Sequence, residues 1–186
     1  MLSFRKIISR ANLLLATSFL FLFSCGQDKI SDKQKTEQLT DSLIQVQKIN
    51  DVTILVSFGA DAVTAINTKN GIVVIDAGIS TYLTKKYKKI IAQEFNNQKF
   101  IYLINTHSHH DHNRGNSVFD EAKIIGHVNG FDEIEKQWNN PKEFIDRTNK
   151  TVKEYDSNLQ KQIKYSKEWI ESFTQKIRYK SARNDA

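Results

Sequence analysis

The sequence is poor in several residue types that often decide the class of a protein. It has one cysteine, one proline and seven glycines among 186 residues, and a single cysteine excludes a disulfide within the chain. Its apolar run at residues 11–23 is shorter than a comfortable membrane span. Hydrophobic residues make up 39% and charged residues 26%, which excludes a disordered tail and a polytopic membrane protein. The length suits one domain with a real core.

The excess of positive charge is modest once the first segment is set aside. The formal net charge is +6, and Arg5, Lys6 and Arg10 contribute to it without any nearby acidic residue. The rest of the sequence has no basic stripe interleaved with aromatic residues. No nucleic-acid partner is therefore predicted.

The first 25 residues have the pattern of an exported protein. Positive charges precede the apolar run, which predicts a signal peptide at residues 1–24. The sequence LFSC resembles the lipobox of bacterial lipoproteins and predicts cleavage before Cys25, whose thiol would then carry a lipid. An ordinary signal peptide, or a short anchor with an incidental cysteine, is the alternative. The lipoprotein interpretation predicts a lipid-anchored protein of the bacterial cell envelope, with the membrane as a partner.

The segments 25–42 and 43–130 differ in composition. The first is polar and charged, as in a flexible tether behind the cysteine. The second combines several strand-like runs with a helical pattern at 81–97 and has a hairpin signal at Asn70-Gly71. This order predicts an α/β fold in which helices pack on a layered sheet.

The last segment, residues 131–186, contains no glycine and is predicted to be helical. Asn140, Pro141 and Glu143 form a helix-start pattern. Apolar residues then recur at spacings of three and four, which predicts one long amphipathic helix, or two helices with a break near 156–158. The narrow apolar stripe favours packing on the chain's own domain, with helix-mediated self-association as the alternative.

Four of the five histidines lie within six consecutive positions. They are His107, His109, His110 and His112, and Asp111 lies among them. Imidazole and carboxylate groups together suit a divalent transition metal, whereas four buried imidazoles without a metal would leave ring nitrogens needing partners. A solvated histidine-rich loop is the alternative, but it does not explain why the cluster directly follows a strand-like apolar run. The pattern therefore predicts a metal site.

The stretch THSHHDH resembles the T-H-x-H-x-D-H signature of the metallo-β-lactamase superfamily. The resemblance extends from about residue 43 to 130 and includes the strand sequence GIVVIDAG. It implies the first half of an αββα sandwich, followed here by the helical segment. It also implies that His107 and His109 bind a first zinc ion, and that Asp111 and His112 bind a second.

The same resemblance implies supporting and catalytic roles. Asp76 and Thr106 would contact the metal ligands and not the metal ions themselves. Asp111 would orient the attacking hydroxide and carry its proton. Zinc lowers the pKa of bound water to about 7, so the implied activity is hydrolysis of a small-molecule β-lactam, lactone, thioester or other ester. The fold alone does not select among these substrates. His110 occupies the variable position of the signature and receives no role.

The later part of the superfamily's ligand set is not found in the sequence. After His112 there is one more histidine, His127, which lies within a strand predicted at 122–129 and is interpreted as structural. Two hypotheses follow: a lipid-anchored zinc hydrolase with a truncated sequence, and a non-catalytic lipid-anchored protein that binds a metal or a partner. The intact histidine motif favours descent from an enzyme. The missing ligands favour weak zinc binding by this chain alone, at no more than one equivalent.

Overall fold

The computed structural model describes residues 30–185, apart from the side chains of Gln137 and Trp138. The strands are β1 (Gln45–Asn50), β2 (Thr53–Phe58), β3 (Asp61–Thr68), β4 (Gly71–Ile75), β5 (Phe100–Ile104) and β6 (Lys123–Ile125). The helices are α1 (Asp32–Leu43), α2 (Thr81–Glu94), α3 (His110–Asn113), α4 (Gly130–Trp138), α5 (Pro141–Lys161) and α6 (Lys167–Arg183), and a short 3₁₀ helix covers Asn116–Phe119. The predicted α/β class is confirmed.

The six strands form one mixed sheet in the order β1-β2-β3-β4-β5-β6. The first four strands pair antiparallel, and the turn predicted at Asn70-Gly71 joins β3 to β4 through the pair Thr68–Gly71. β5 pairs parallel to β4, and β6 pairs parallel to β5. Each of these parallel pairs needs a crossover connection, and α2 supplies the first. The carboxyl ends of β4, β5 and β6 therefore lie at one edge of the sheet.

The hydrophobic core lies on one face of the sheet. Every second residue of β2 is buried, beginning with Ile54, and Val63, Val74 and Leu103 are buried on the neighbouring strands. Residues of α2 and α6 belong to the same core, and Tyr87 of α2 is fully buried. The alternate residues of β2 are half-buried. One face of the central strands is thus covered, as helix-on-sheet packing requires, whereas the edge strands β1 and β6 are exposed.

The helical tail contains a hairpin of α5 and α6. Asn140 caps α5 as predicted, because its side chain accepts a hydrogen bond from Glu143 N at 3.3 Å. The tail forms two helices, the second of the two predicted alternatives, but the break lies later than residues 156–158: α5 continues to Lys161, and the chain then turns through Tyr165, which has a φ of 67°. α6 packs back on α5. The apolar stripe is therefore used within the chain.

The last helix, α6, and the residues that follow it are tied to the start of α2. Ser181 Oγ donates to Ser80 Oγ at 2.8 Å, and Ser80 Oγ also accepts from Leu83 N at 3.3 Å. Asp185 accepts from the backbone nitrogen and from the hydroxyl of Thr81, both at 2.7 Å. These bonds make the tail part of the same folded body as the sheet.

Residues 32–42, which the sequence assigned to a flexible tether, form most of α1. Ser31 and Gln34 build a capping box at its start: Gln34 N donates to Ser31 Oγ at 3.2 Å, and Ser31 N donates to Gln34 Oε1 at 2.9 Å. A polar composition thus conceals a helix with a local start signal. The predicted signal peptide and Cys25 lie outside the described residues. Of the helices between residues 30 and 185, none is long and apolar enough to cross a membrane.

Candidate functional site

The parallel strands bring several polar side chains to the same edge of the sheet. Asp76 follows β4, Thr106 and His107 follow β5, and His127 follows β6. Loops that leave the carboxyl ends of parallel strands meet at one edge, where α/β proteins commonly bind ligands. The predicted metal ligands lie on the β5 loop and on α3, which is part of that loop.

Asp76 holds the histidine loop through both of its carboxylate oxygens. Oδ1 accepts from Thr106 N at 2.8 Å, and Oδ2 accepts from Thr106 Oγ1 at 2.8 Å and from His112 Nδ1 at 2.9 Å. The backbone φ of Asp76 is 61°, a left-handed conformation that aspartate tolerates better than most residues. Because Nδ1 of His112 donates to the carboxylate, the ring proton is assigned to Nδ1. Nε2 then has a free lone pair that can coordinate a metal ion.

Three imidazole rings lie side by side on the loop. The ring centroid of His107 is 4.0 Å from that of His112 and 4.7 Å from that of His109. The Thr106 hydroxyl, which already donates to a carboxylate, lies 3.0 Å from His107 Nδ1 and therefore accepts from it. His107, like His112, therefore keeps an unprotonated Nε2 that can coordinate a metal ion. Asp111 Oδ2 lies 3.8 Å from His112 Nε2.

The chemistry of these donors suits a divalent transition metal. Neutral imidazole nitrogens and carboxylate oxygens are typical zinc ligands, and a hydrogen bond on one ring nitrogen orients the other toward an ion. Within residues 30–185, no group of three or more histidine, cysteine, aspartate or glutamate side chains is already arranged to hold an ion. The candidate ligands are thus adjacent, and hydrogen bonds to Asp76 and Thr106 orient two of the rings.

His110 packs on the helical tail instead of joining the other rings. Its ring centroid is 5.2 Å from that of Phe144 on α5, at an interplanar angle of 72°. Burial lowers the pKa of His110, and the cations Arg114 and Arg147 lower it further against the opposite effect of Asp111. A neutral His110 therefore connects the loop to α5, in keeping with the variable position that it occupies in the signature.

Backbone and amide hydrogen bonds fix the rest of the loop. Ala77 N donates to His112 O at 2.7 Å. Asn105 and Asn116 exchange two side-chain hydrogen bonds of 3.0 and 2.8 Å, which tie the end of β5 to the 3₁₀ helix. Sequence reasoning missed this amide pair, because two asparagines eleven positions apart have no distinctive spacing. Their position on either side of the histidine motif was the only available signal.

Gly115 is required where the loop passes over the start of α2. A Cβ atom at this position would lie 2.1 Å from Thr84 Oγ1 and 2.2 Å from Ala77 O. Thr84 Oγ1 itself donates a short hydrogen bond to Ala77 O. Since these neighbours are held by each other, only glycine allows the loop to approach so closely.

A buried carboxyl group supports the segment after β4 from the core side. Asp61 Oδ1 accepts from Ile79 N at 3.1 Å, and Asp61 Oδ2 accepts from Tyr87 OH at 2.7 Å. Burial raises the pKa of Asp61 to about 6, and the hydrogen bond from Tyr87 and the charge of Arg178 only partly oppose this. Asp61 therefore helps to position the chain that leads away from Asp76.

His127 does not lie in a strand, so that part of the sequence prediction is wrong. β6 ends at Ile125, because its partner strand offers pairing only as far as Ile104. His127 lies in the exposed loop that follows, where its Nδ1 accepts from Asn129 N at 3.2 Å. Together with His107 it lines a cavity of about 460 Å³. An exposed histidine that shares a cavity with a predicted ligand is not a core histidine.

A mixed sheet covered by helices, with clustered imidazoles and carboxylates at the carboxyl edge of its parallel strands, defines an α/β protein with a candidate metal site. The chain belongs to the metallo-β-lactamase superfamily, whose family model matches residues 58–173. The match contains all the predicted ligands and also Asp76 and Thr106. It extends well into the helical tail, beyond the end of the resemblance at residue 130.

Solved structures of similar fold cover about half of the chain. They include the metallo-β-lactamase from Hirschia baltica (10% identity, TM-score 0.46, covering 50% of this chain and 48% of that one). The FIM-1 metallo-β-lactamase from Pseudomonas aeruginosa in its mono-zinc form is similar as well (8%, 0.46, 52% and 47%), as is the sec-alkylsulfatase Pisa1 from Pseudomonas sp. (19%, 0.40, 49% and 16%). The chain spans about half the length of these metallo-β-lactamases. No curated protein matches the sequence.

Proposed function

We propose that this chain carries the metal-binding part of a zinc-dependent hydrolase. The observation that supports the proposal is the hydrogen bonding of Asp76 to Thr106 and His112. Metal-binding imidazoles in proteins usually donate their second nitrogen to a carboxylate, which fixes the ring and makes it a better ligand. Membership of the superfamily supports the same reading.

The proposed ligands share one loop and are His107, His109, Asp111 and His112. Zinc, when bound, supplies an acidic water molecule and positive charge for the oxygen anion that forms on the substrate. Asp76 keeps the proton of His112 on Nδ1, and Thr106 does the same for His107. Asp111, whose side chain is 38% exposed, is open to solvent and would take a proton from the attacking water.

The proposed reaction is hydrolysis of a small-molecule amide or ester, such as a β-lactam, a lactone or a thioester. The chemistry that zinc would supply suits each of these carbonyl groups, so the metal loop alone does not choose among them. The choice of substrate would depend on parts of the protein outside the metal loop.

The proposal is tested by removing metal from the full chain, reloading it with zinc, and measuring the zinc that remains bound after dialysis. We expect at most one equivalent in the wild type, and loss of that zinc in His107→Ala and His109→Ala, because a zinc site rarely survives removal of one of its few ligands. Asp76→Asn should weaken zinc binding by about 10- to 100-fold, the usual effect of removing a group behind a ligand.

His110→Ala is the matched control, since it removes an imidazole from the same loop that packs on Phe144. It should retain zinc as the wild type does. If His107→Ala and His110→Ala bind zinc equally well, the loop is not the metal site.

We also propose that Cys25 is lipidated and that the protein is anchored in the bacterial cell envelope. The support is the sequence LFSC after a short apolar run that follows positive charges. A lipid anchor would hold the hydrolase at a membrane surface.

A further inference from the structure

The hairpin of α5 and α6 ends in a tip, residues 161–168, whose apolar side chains face solvent. Ile163 is 82% exposed and Tyr165 is 59% exposed. Farther along α6, Phe173 and Ile177 belong to the hydrophobic core instead. Neighbouring exposed side chains of this size commonly mark a contact with another protein or with a membrane. The tip is therefore a candidate interaction surface.

The tip is an ordered turn. Ser166 N donates to Ile163 O at 2.9 Å, and Ser166 Oγ accepts from Trp169 N at 3.2 Å. Tyr165 has a φ of 67°, which is uncommon for a bulky residue. Such backbone strain persists where the surrounding structure enforces it, and it is often found at functional positions. Because the turn is already fixed, the tip loses little conformational entropy when it binds a partner.

The aromatic rings of the hairpin lead from the tip into the core. The ring centroids of Tyr165 and Trp169 are 5.3 Å apart with an interplanar angle of 64°, and Trp169 stacks on Phe173 at the same distance. Trp169 also packs against the core cluster. Tyrosine and tryptophan favour the headgroup level of a bilayer, because each has an apolar ring and one polar group. Ile163 has no polar side-chain atom and would enter deepest.

Three lysines, Lys161, Lys164 and Lys167, surround these apolar side chains and are exposed. The ammonium group of Lys164 lies 4.9 Å from the centroid of the Tyr165 ring. Glu168 is the one acidic residue in the sequence of the tip. Among the ion pairs of the described part of the chain, none includes a lysine of the tip. The tip thus carries positive charge that an anionic partner would neutralise.

We propose that the hairpin tip docks on the surface of an anionic lipid bilayer, with Ile163 between the lipid headgroups. The lysines would lie against the anionic headgroups, since a lysine can lay its stem along apolar groups while its charge stays in water. A second copy of the chain fits less well, because a two-fold contact through the tip would bring the lysines of both copies together. The proposal does not depend on lipidation of Cys25, although such a lipid would hold the chain beside a bilayer.

Quenching of Trp169 fluorescence by brominated lipids tests the proposal. The full chain with Trp138→Phe has Trp169 as its only tryptophan. It is reconstituted in vesicles of brominated phosphatidylcholine, alone or mixed with increasing amounts of phosphatidylglycerol. The apolar run at residues 11–23 is expected to hold the chain on both kinds of vesicle, so the quenching reports on the position of the tip. We expect stronger quenching in the mixed vesicles, and its reduction by high salt.

Variants of the tip separate the contributions of charge and apolar contact. Lys164→Gln should weaken partitioning of the tip into mixed vesicles about fivefold, the loss expected for one lysine at an anionic surface. Ile163→Ser should weaken it at least about tenfold, because a buried isoleucine side chain is lost. Neither side chain belongs to the core, so both variants should fold and retain zinc as the wild type does.

Val128→Ser and Lys99→Gln are the matched controls. Val128 is 81% exposed, as Ile163 is at the tip, and Lys99 is an exposed lysine elsewhere. Both controls should leave the quenching unchanged. Equal quenching in the two kinds of vesicle, or in the wild type and Ile163→Ser, would overturn the proposal, as would an equal loss in Val128→Ser. Absence of quenching together with self-association that Ile163→Ser abolishes would make the tip a protein contact and would also overturn it.

Discussion

Asp61 is 2% exposed, so its carboxyl group lies in the core. Burial raises its pKa from an ordinary 3.8 to about 6, despite the hydrogen bond from Tyr87. Between these two pH values the native state keeps a proton that the unfolded chain has already released. Stability therefore falls as the pH rises from about 4 to about 6, by up to about 3 kcal/mol for this group.

We expect Asp61→Asn to remove this pH dependence, because an amide oxygen still accepts from Ile79 N and does not ionise. Urea unfolding between about pH 4 and pH 7 measures it through the free energy of unfolding. Asp51→Asn, at an exposed turn, is the control and should keep the slope of the wild type. A slope for Asp61→Asn equal to that of the wild type would show that another group is responsible.

At the residue scale, the sequence identifies candidate ligands but not the residues that pack around the site. The motif THSHHDH identifies its candidate ligands because they occupy one short loop at fixed spacing. The positions of Asp61 and His110 depend instead on Tyr87 and Phe144, which are distant in sequence and become neighbours only through packing. An aspartate in the turn-like sequence GADA is ordinarily exposed, so nothing local revealed that Asp61 is buried.

At the scale of elements, the connection between α3 and the 3₁₀ helix depends on Gly115. We expect Gly115→Ala to destabilise the fold by about 1–3 kcal/mol, the usual cost of overpacking, because its Cβ would collide with Thr84 Oγ1 and Ala77 O. Zinc retention should fall as well, since the displaced backbone carries His112. Gly126→Ala is the control, because its Cβ would meet no atom within 4 Å. Equal urea midpoints for the two variants would refute the steric argument.

The spacing of apolar residues predicted helices and strands from the sequence. Where a predicted element boundary is wrong, the cause is local. The polar residues at 156–158 resemble a helix break. α5 nevertheless continues through them, because the apolar face of the helix packs on α6. The real break occurs where Tyr165 adopts a positive φ and Ser166 caps α6 by accepting from Trp169 N at 3.2 Å. A serine cap inside a long amphipathic pattern is easily hidden, because the apolar spacing continues across it.

At the scale of the whole molecule, the proposed lipid anchor has a direct test. Cys25→Ala should abolish labelling by radioactive palmitate and the signal-peptide cleavage that depends on the cysteine. Ser24→Ala is the control, because it keeps a small residue before the cysteine and should be labelled as the wild type is. Labelling and membrane fractionation of the expressed full chain measure both. If Cys25→Ala is processed and labelled normally, the anchor lies elsewhere.

The mixed topology of the sheet also implies an order of folding. In the antiparallel part, Val56 pairs with nearby Val63, whereas the parallel part pairs Ile75 with the distant Ile104. Local hairpins close quickly, but parallel pairs must first bring together the ends of a long crossover. We expect native-state hydrogen exchange to show lower opening free energies for β6 than for β2 and β3, and the reverse ranking would refute this. The histidine loop would then be assembled last, so a newly made chain would have a formed hairpin layer before it could hold an ion.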